Sequence, residues 1–270
     1  MAEHSARYQR FAEALVAAGY AVWAHDHRGH GRTAGTLDRV GILGDADGFF
    51  RMVADTREVT LLARAAHPGV PVSLFGHSMG SFVCQSYLQT WSDGIDGCIL
   101  SGTNGKQGLK IRLARLLARA EAKKTGRDTP SPKLNTLSFG SFNRAFRPNR
   151  TPFDWLSRDA AEVDQYIADP WCGAVFTAGF FADFLDGLVA IEDPRNLAKV
   201  PPSLPMLLVA GAEDPVGNRG RGPRALAQTY RSLGLGSVEL ILYPGARHEI
   251  LNETNRDEVT ADILRWLGRR

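Results

Sequence analysis

The chain has 270 residues, of which 44% are apolar and 23% charged, with a formal net charge of +3. That apolar content is enough for one substantial core and excludes a disordered or fibrous chain. The small basic excess, with no zinc-knuckle spacing, recognition helix or basic run, excludes nucleic acid as a partner.

The opening MAEHSARYQRF predicts a helix over about 5 to 18, with Ser5 as its cap, Phe11, Leu15, Val16 and Ala18 near one face, and Gly19 as its stop. A strand over 21 to 26 (AVWAHD) follows, running into the turn HDHRGHGR. His25, His27 and His30 in that turn invite a metal, but no carboxylate or thiol completes a set, so a structural role is expected. A helix over 46 to 66 leads to a second strand, VSLFGH (72 to 77).

The chemistry begins there. In LFGHSMG, the residues Gly76, Ser78 and Gly80 form a GxSxG pattern between a strand and a helix predicted over 79 to 91. A serine on so sharp a turn is strained and needs small neighbours, and its hydroxyl stands exposed above the sheet. A third strand, GCILSG (97 to 102), ends the regular alternation.

About a hundred residues then follow with helical patterns but no convincing strand, which predicts a helical cap over 103 to 203 between core segments 1–102 and 204–270. Its first helix (107 to 124) sets Leu109, Leu113, Leu116, Leu117 and Ala120 on one stripe and Arg112, Arg115, Arg119 and Lys123 on another. Two readings stand, a lid helix with a solvated basic side or a lid resting on anionic lipid. Further on, Trp171, Phe176, Phe180, Phe181, Phe184 and Leu188 are more apolar than docking one helix requires. Leu113, Leu117, Phe176, Phe180 and Phe184 are therefore the candidate lining of an acyl pocket.

Two more strands close the chain, MLLVAG (206 to 211) and VELILY (238 to 243), each followed by a helix, over 222 to 234 and 255 to 267. The last helix takes Thr254 or Asn255 as its cap. Strand alternating with helix means a mostly parallel sheet covered on both faces, an α/β architecture. A serine hydroxyl needs a base and a group to orient that base. Asp214 falls just past the fourth strand and His248 just past the fifth, so all three members stand at carboxyl ends of strands, where ligands gather in open sheets. The glycine-rich GNRGRGP (217 to 223) lacks the P-loop lysine and reads as a connection.

Cys84, Cys98 and Cys172 have no ligand spacing and read as core thiols, which suits a reducing compartment. No apolar run is long enough to span a membrane, and the first ten residues hold no signal-type stretch. The expected location is the cytoplasm, with peripheral membrane contact as the second reading and a leader ahead of Met1 left open.

The stretches RYQRFAEALVAAGYAVWAHDHRGHGRTAG, PVSLFGHSMG, GAEDPVGN and YPGARHEILNE resemble the monoglyceride lipase and bacterial lysophospholipase group of α/β hydrolases, within the serine aminopeptidase S33-like class. The resemblance implies Ser78 as nucleophile, Asp214 as acid and His248 as base, in agreement with position and chain order. It implies hydrolysis of a single-chain acyl ester, a monoacylglycerol first and a lysophospholipid next, with no metal or organic cofactor. Ser81 departs from the group, which often has a further glycine there.

The resemblance also bears on the unusual start. In the group a third strand ends in a His-Gly pair just before the residues matching MAEHSARY, and that loop lends one amide to the oxyanion hole. Met1 takes that place here, beside the amide of Met79 as second donor. Three strands, on the order of 30 to 40 residues, are then expected ahead of Met1. Without them a gap opens in the sheet between the 21–26 and 72–77 strands, so Met1 is expected to be an internal methionine. The competing readings are a broader carboxylesterase, peptidase or acyltransferase of this fold, or an idle hydrolase-fold binding protein if the short chain is whole.

Overall fold

The computed structural model describes residues 1–92 and 94–270. Four parallel strands, β1 (Ser73–His77), β2 (Gly97–Ser101), β3 (Met206–Gly211) and β4 (Val238–Tyr243), lie side by side in chain order. Before them come a 3₁₀ turn (Ser5–Tyr8), α1 (Gln9–Ala17), the short α2 (Gly31–Ala34) and α3 (Gly48–Ala66). The helix α4 (Met79–Trp91) joins β1 to β2, and α10 (Arg221–Ser232) joins β3 to β4. Between β2 and β3 run α5 (Leu109–Thr125), α6 (Pro132–Phe139), α7 (Ala160–Ala168), α8 (Ala178–Ile191) and α9 (Pro194–Leu197), and α11 (Arg256–Leu267) closes the chain.

Every residue of β2 and β3 is buried, as central strands covered on both faces must be. Side chains alternate across the sheet. Ile99, Leu207 and Val209 join Phe11 of α1 and Val259, Ile263 and Trp266 of α11 in one core. Cys98, Leu100, Met206 and Leu208 join α3, α4, α8 and α10 in the larger core on the other face. Each large side chain so enclosed contributes on the order of 1.5 to 3 kcal/mol, which makes these two layers the platform for the loops above them.

Three expectations are corrected. Residues 21–26 form no strand, and Val22 and Trp23 are 36% and 47% exposed. The local composition is β-prone, but a strand exists only through its ladder, and β1 pairs with β2 alone among the described residues. Ser5 is not a cap: His4 holds that position, and the Ser5 amide donates to Asp26 Oδ1 at 2.7 Å. The leucine stripe of α5 is not its docking face. Ile111, Ala118 and Ala122 are buried instead, while Leu109, Leu113, Leu116 and Leu117 are all more than half exposed. Small residues let α5 approach α8 closely, which turns the bulkier leucines outward.

Candidate active site

The turn after β1 places Ser78 at φ 52°, ψ −118°, in the left-handed region that side chains avoid. The strain is held by its surroundings. The Ser78 amide donates to Ser101 O at 2.9 Å, and the Ser78 carbonyl accepts from Ser81 Oγ at 2.6 Å and from the Ser81 amide at 2.9 Å. A Cβ on Gly76 would stand 2.4 Å from Gly80 O and 2.5 Å from Cys84 Sγ, so the first glycine of the motif is required for α4 to pack against β1. The second is looser, since a Cβ on Gly80 meets nothing within 4 Å.

The loops after β3 and β4 bring Asp214 and His248 to the same end of the sheet. His248 Nε2 lies 2.9 Å from Ser78 Oγ, and His248 Nδ1 lies 3.0 Å from Asp214 Oδ2. Asp214 is wholly buried, and its other oxygen accepts from the Val216 amide at 2.8 Å. Both carboxylate oxygens are thus partnered, which fixes the plane presented to the imidazole. The arrangement can pass a proton from hydroxyl to ring while a buried carboxylate steadies the ring.

Two aromatic rings box in His248. His77 lies on one side with ring centroids 4.7 Å apart, and Trp155 of the cap lies 5.1 Å away. Burial and the neighbouring His248 push His77 down to about 3, so it is neutral, with Nδ1 3.0 Å from Ser101 Oγ. The cap also holds the His248 loop through its backbone, as the Glu249 amide donates to Leu156 O at 2.8 Å. Trp155 carried no motif, and only its packing identifies it.

Beneath this loop lies a buried ionic group that no local pattern announced. Arg7 Nη2 donates to Glu249 at 2.5 Å and Arg7 Nε approaches Glu3 at 3.4 Å, while Tyr8 donates to Glu3 at 2.8 Å. Burial pushes Glu249 up, with Arg7 opposing. Behind Ser78, Ser81 Oγ lies 2.9 Å from Thr103 Oγ1, which also accepts from Gln85 Nε2 at 3.0 Å. Ser81, the departure from the group's glycine, is therefore a hydrogen-bonded member of the site.

Met79 is buried at the first position of α4, where helix geometry leaves the amide without an intrahelical acceptor. Met1 is half-buried against the larger core, with its amino group in electrostatic reach of His77 and His30. The pocket candidates divide. Phe176 and Phe180 are enclosed as core, stacked on each other at 4.2 Å with His30 tilted 5.1 Å from Phe176, and Phe184 is part-buried between Phe49, Phe82 and Phe180. Leu113 and Leu117, being exposed, do not line an enclosed pocket. His25, His27 and His30 stand edge to face, with ring centroids 4.8 and 6.3 Å apart, and no carboxylate or thiol completes a set with them among the described residues.

The family model described as serine aminopeptidase S33 matches residues 1–255. The monoacylglycerol lipase of Mycolicibacterium smegmatis is 31% identical over 98% of this chain and 84% of its own length. The human monoglyceride lipase is 28% identical over 99% of this chain and 80% of its own. Among solved structures, a highly thermostable carboxyl esterase from Bacillus coagulans in complex with glycerol superposes with a TM-score of 0.92 at 30% identity, covering 99% of this chain and 86% of that one. The chain belongs to the serine aminopeptidase S33 family and has the α/β-hydrolase fold.

Proposed function

We propose that this serine ester hydrolase cleaves single-chain acyl esters of the monoacylglycerol type, with Ser78 as nucleophile, His248 as general base and acid, and Asp214 as the residue that orients His248. The observation that carries the assignment is the continuous line from Ser78 Oγ through both nitrogens of His248 to Asp214 Oδ2, at 2.9 and 3.0 Å. Ser78 gives its proton to Nε2 as Oγ attacks the ester carbonyl, while Nδ1–H donates to Asp214. The oxyanion that forms takes hydrogen bonds from the Met79 amide and from the backbone at Met1. The protonated ring then passes its proton to the departing glycerol oxygen. Water, deprotonated by the same nitrogen, releases the fatty acid and restores Ser78. No step requires a metal or organic cofactor.

The substrate class rests on similarity to the two lipases, both named for monoacylglycerols. The outward leucines of α5, flanked by Lys110, Arg112 and Arg119, support lid contact with an anionic lipid surface, and the unpaired buried thiols Cys84 and Cys98 support a cytoplasmic setting. The likeness to the carboxyl esterase favours a second reading, a broader esterase acting on short acyl groups.

The experiment compares kcat/KM for monooleoylglycerol, a lysophospholipid, a short-chain nitrophenyl ester and an amino-acid amide, in wild type and Ser78→Ala. Preference for the long monoacyl ester, lost in the variant, is the expected result. Preference for the short ester would replace the lipase reading with the esterase one, and hydrolysis surviving in Ser78→Ala would remove Ser78 from the mechanism. Leu113→Ser with Leu117→Ser should weaken sedimentation with phosphatidylglycerol vesicles severalfold, and unchanged binding would remove the lid contact.

A further inference from the structure

His4, Asp169 and Cys172 meet where the first turn of the chain touches the loop between α7 and α8. A ring nitrogen, a carboxylate oxygen and the thiol sulfur all lie within 4.8 Å of one another. We propose that these three side chains form a binding site for a divalent metal ion of borderline softness, Zn²⁺ being the best match, which ties the first turn to the cap.

The donor set is the first argument. One imidazole, one carboxylate and one thiolate match the mixed N, O and S ligation that zinc accepts, whereas hard cations such as Mg²⁺ and Ca²⁺ take oxygen donors. A fourth position is left for water.

Organisation is the second. The Asp169 carboxylate is already oriented, because Oδ1 accepts from the Trp171 amide at 2.9 Å and Oδ2 faces His4 Nε2 at 2.7 Å. The Cys172 amide donates to Asp169 O at 3.0 Å, which closes the turn that brings the thiol round. Two tetrahedral ligands at about 2.0 Å from zinc stand about 3.3 Å apart. The His4–Asp169 pair therefore has to open by about 0.6 Å once the ion replaces the proton between them. Both side chains are part-exposed, at 16% and 28%, and have that freedom.

Access is the third, since a cavity of about 330 Å³ lined by His4, Asp26, Arg32 and Trp171 opens beside the site. The metal–thiolate bond forms as the thiol proton leaves to solvent. The ion would reinforce a junction already present in the backbone, where Ala2 O accepts from the Gly173 amide at 3.1 Å and from Tyr166 Oη at 2.9 Å.

The test titrates the full chain, purified with chelator and reductant and then freed of both, with Co²⁺ as a spectroscopic stand-in. Wild type should develop a thiolate-to-cobalt charge-transfer band that saturates at about one equivalent and is displaced by Zn²⁺. Cys172→Ser should abolish the band, and His4→Gln and Asp169→Asn should each weaken Co²⁺ at least about tenfold, in line with loss of one ligand. Circular dichroism of each metal-free variant checks the fold, and the His4→Gln result stands if Cys172→Ser fails to fold. No band in wild type, a band that survives Cys172→Ser, or equal affinity in His4→Gln overturns the site. None of these readouts depends on ester hydrolysis, so the test stands apart from the proposed activity.

Discussion

Two groups of histidines lie on this protein, and they are used in opposite ways. At the strand ends, His248 has a partner on each nitrogen, Ser78 Oγ and Asp214 Oδ2, and His77 has Ser101 Oγ. In the turn between α1 and α2, the atoms His25 Nε2, His27 Nδ1 and His30 Nε2 are buried with no hydrogen-bond partner among the described residues. His30 is held mainly by packing, 5.1 Å from Phe176 and 6.0 Å from Phe180, and by one contact at 3.0 Å with Arg28 O. A ring fixed through both nitrogens has one tautomer and a defined proton path, whereas a ring fixed by its faces is a packing group that resists charge.

The largest effect that would test the contrast is on Asp214. Asp214→Asn keeps the size of the side chain but presents the wrong donor pattern to Nδ1, so kcat should fall by about 10⁴. A loss smaller than about tenfold would mean that His248 is oriented by packing alone, like the histidines of the turn.

Acid provides the next test. Burial holds His27 well below its ordinary value, His30 down at about 4 and His77 at about 3. The unfolded chain takes up these protons as pH falls through about 6.5 while the folded chain does not, so folding stability must drop with acidity. Between its folded value and about 6.5 each group adds a slope of up to about 1.4 kcal/mol per pH unit, so its contribution to stability is full above about 6.5 and is lost as pH falls toward 4. Urea unfolding at pH 7, 6 and 5 should show the decline, and His27→Gln should flatten it by about one proton. A midpoint constant across that range would mean that the orphaned rings are solvated.

The smallest effect concerns Ser81. Its hydroxyl bonds the carbonyl of the strained Ser78, so Ser81→Ala should lower kcat about fivefold, in line with one hydrogen bond of about 1 kcal/mol, and leave KM near wild type. A change in KM alone would place Ser81 in substrate binding instead of nucleophile support.

Much of the candidate site was legible because its parts are local. Gly76 and Ser78 declare a strand-to-helix turn within a few residues, and Asp214 and His248 follow apolar runs whose ends are marked by turn residues. The helices between β2 and β3 were legible as an interruption of the alternation. The leucine stripe misled because periodicity reports that a helix has an apolar face, not which face its neighbour takes. Residues 21–26 misled for a related reason, since β-propensity cannot supply a ladder partner. Trp155 carries no spacing, and the four-residue step from Glu3 to Arg7 gives no sign of Glu249.

The amino-acid order alone determined the succession of strands and helices from β1 onward, the strained serine turn and the chain order Ser78, Asp214, His248, because these follow from side-chain period and backbone sterics over short windows. Only the tertiary structure decided which side chains face one another across long separations, such as Arg7 with Glu249 or His4 with Asp169 and Cys172. Those contacts depend on the path of the whole chain around the sheet, and propensity over a few residues holds no record of that path.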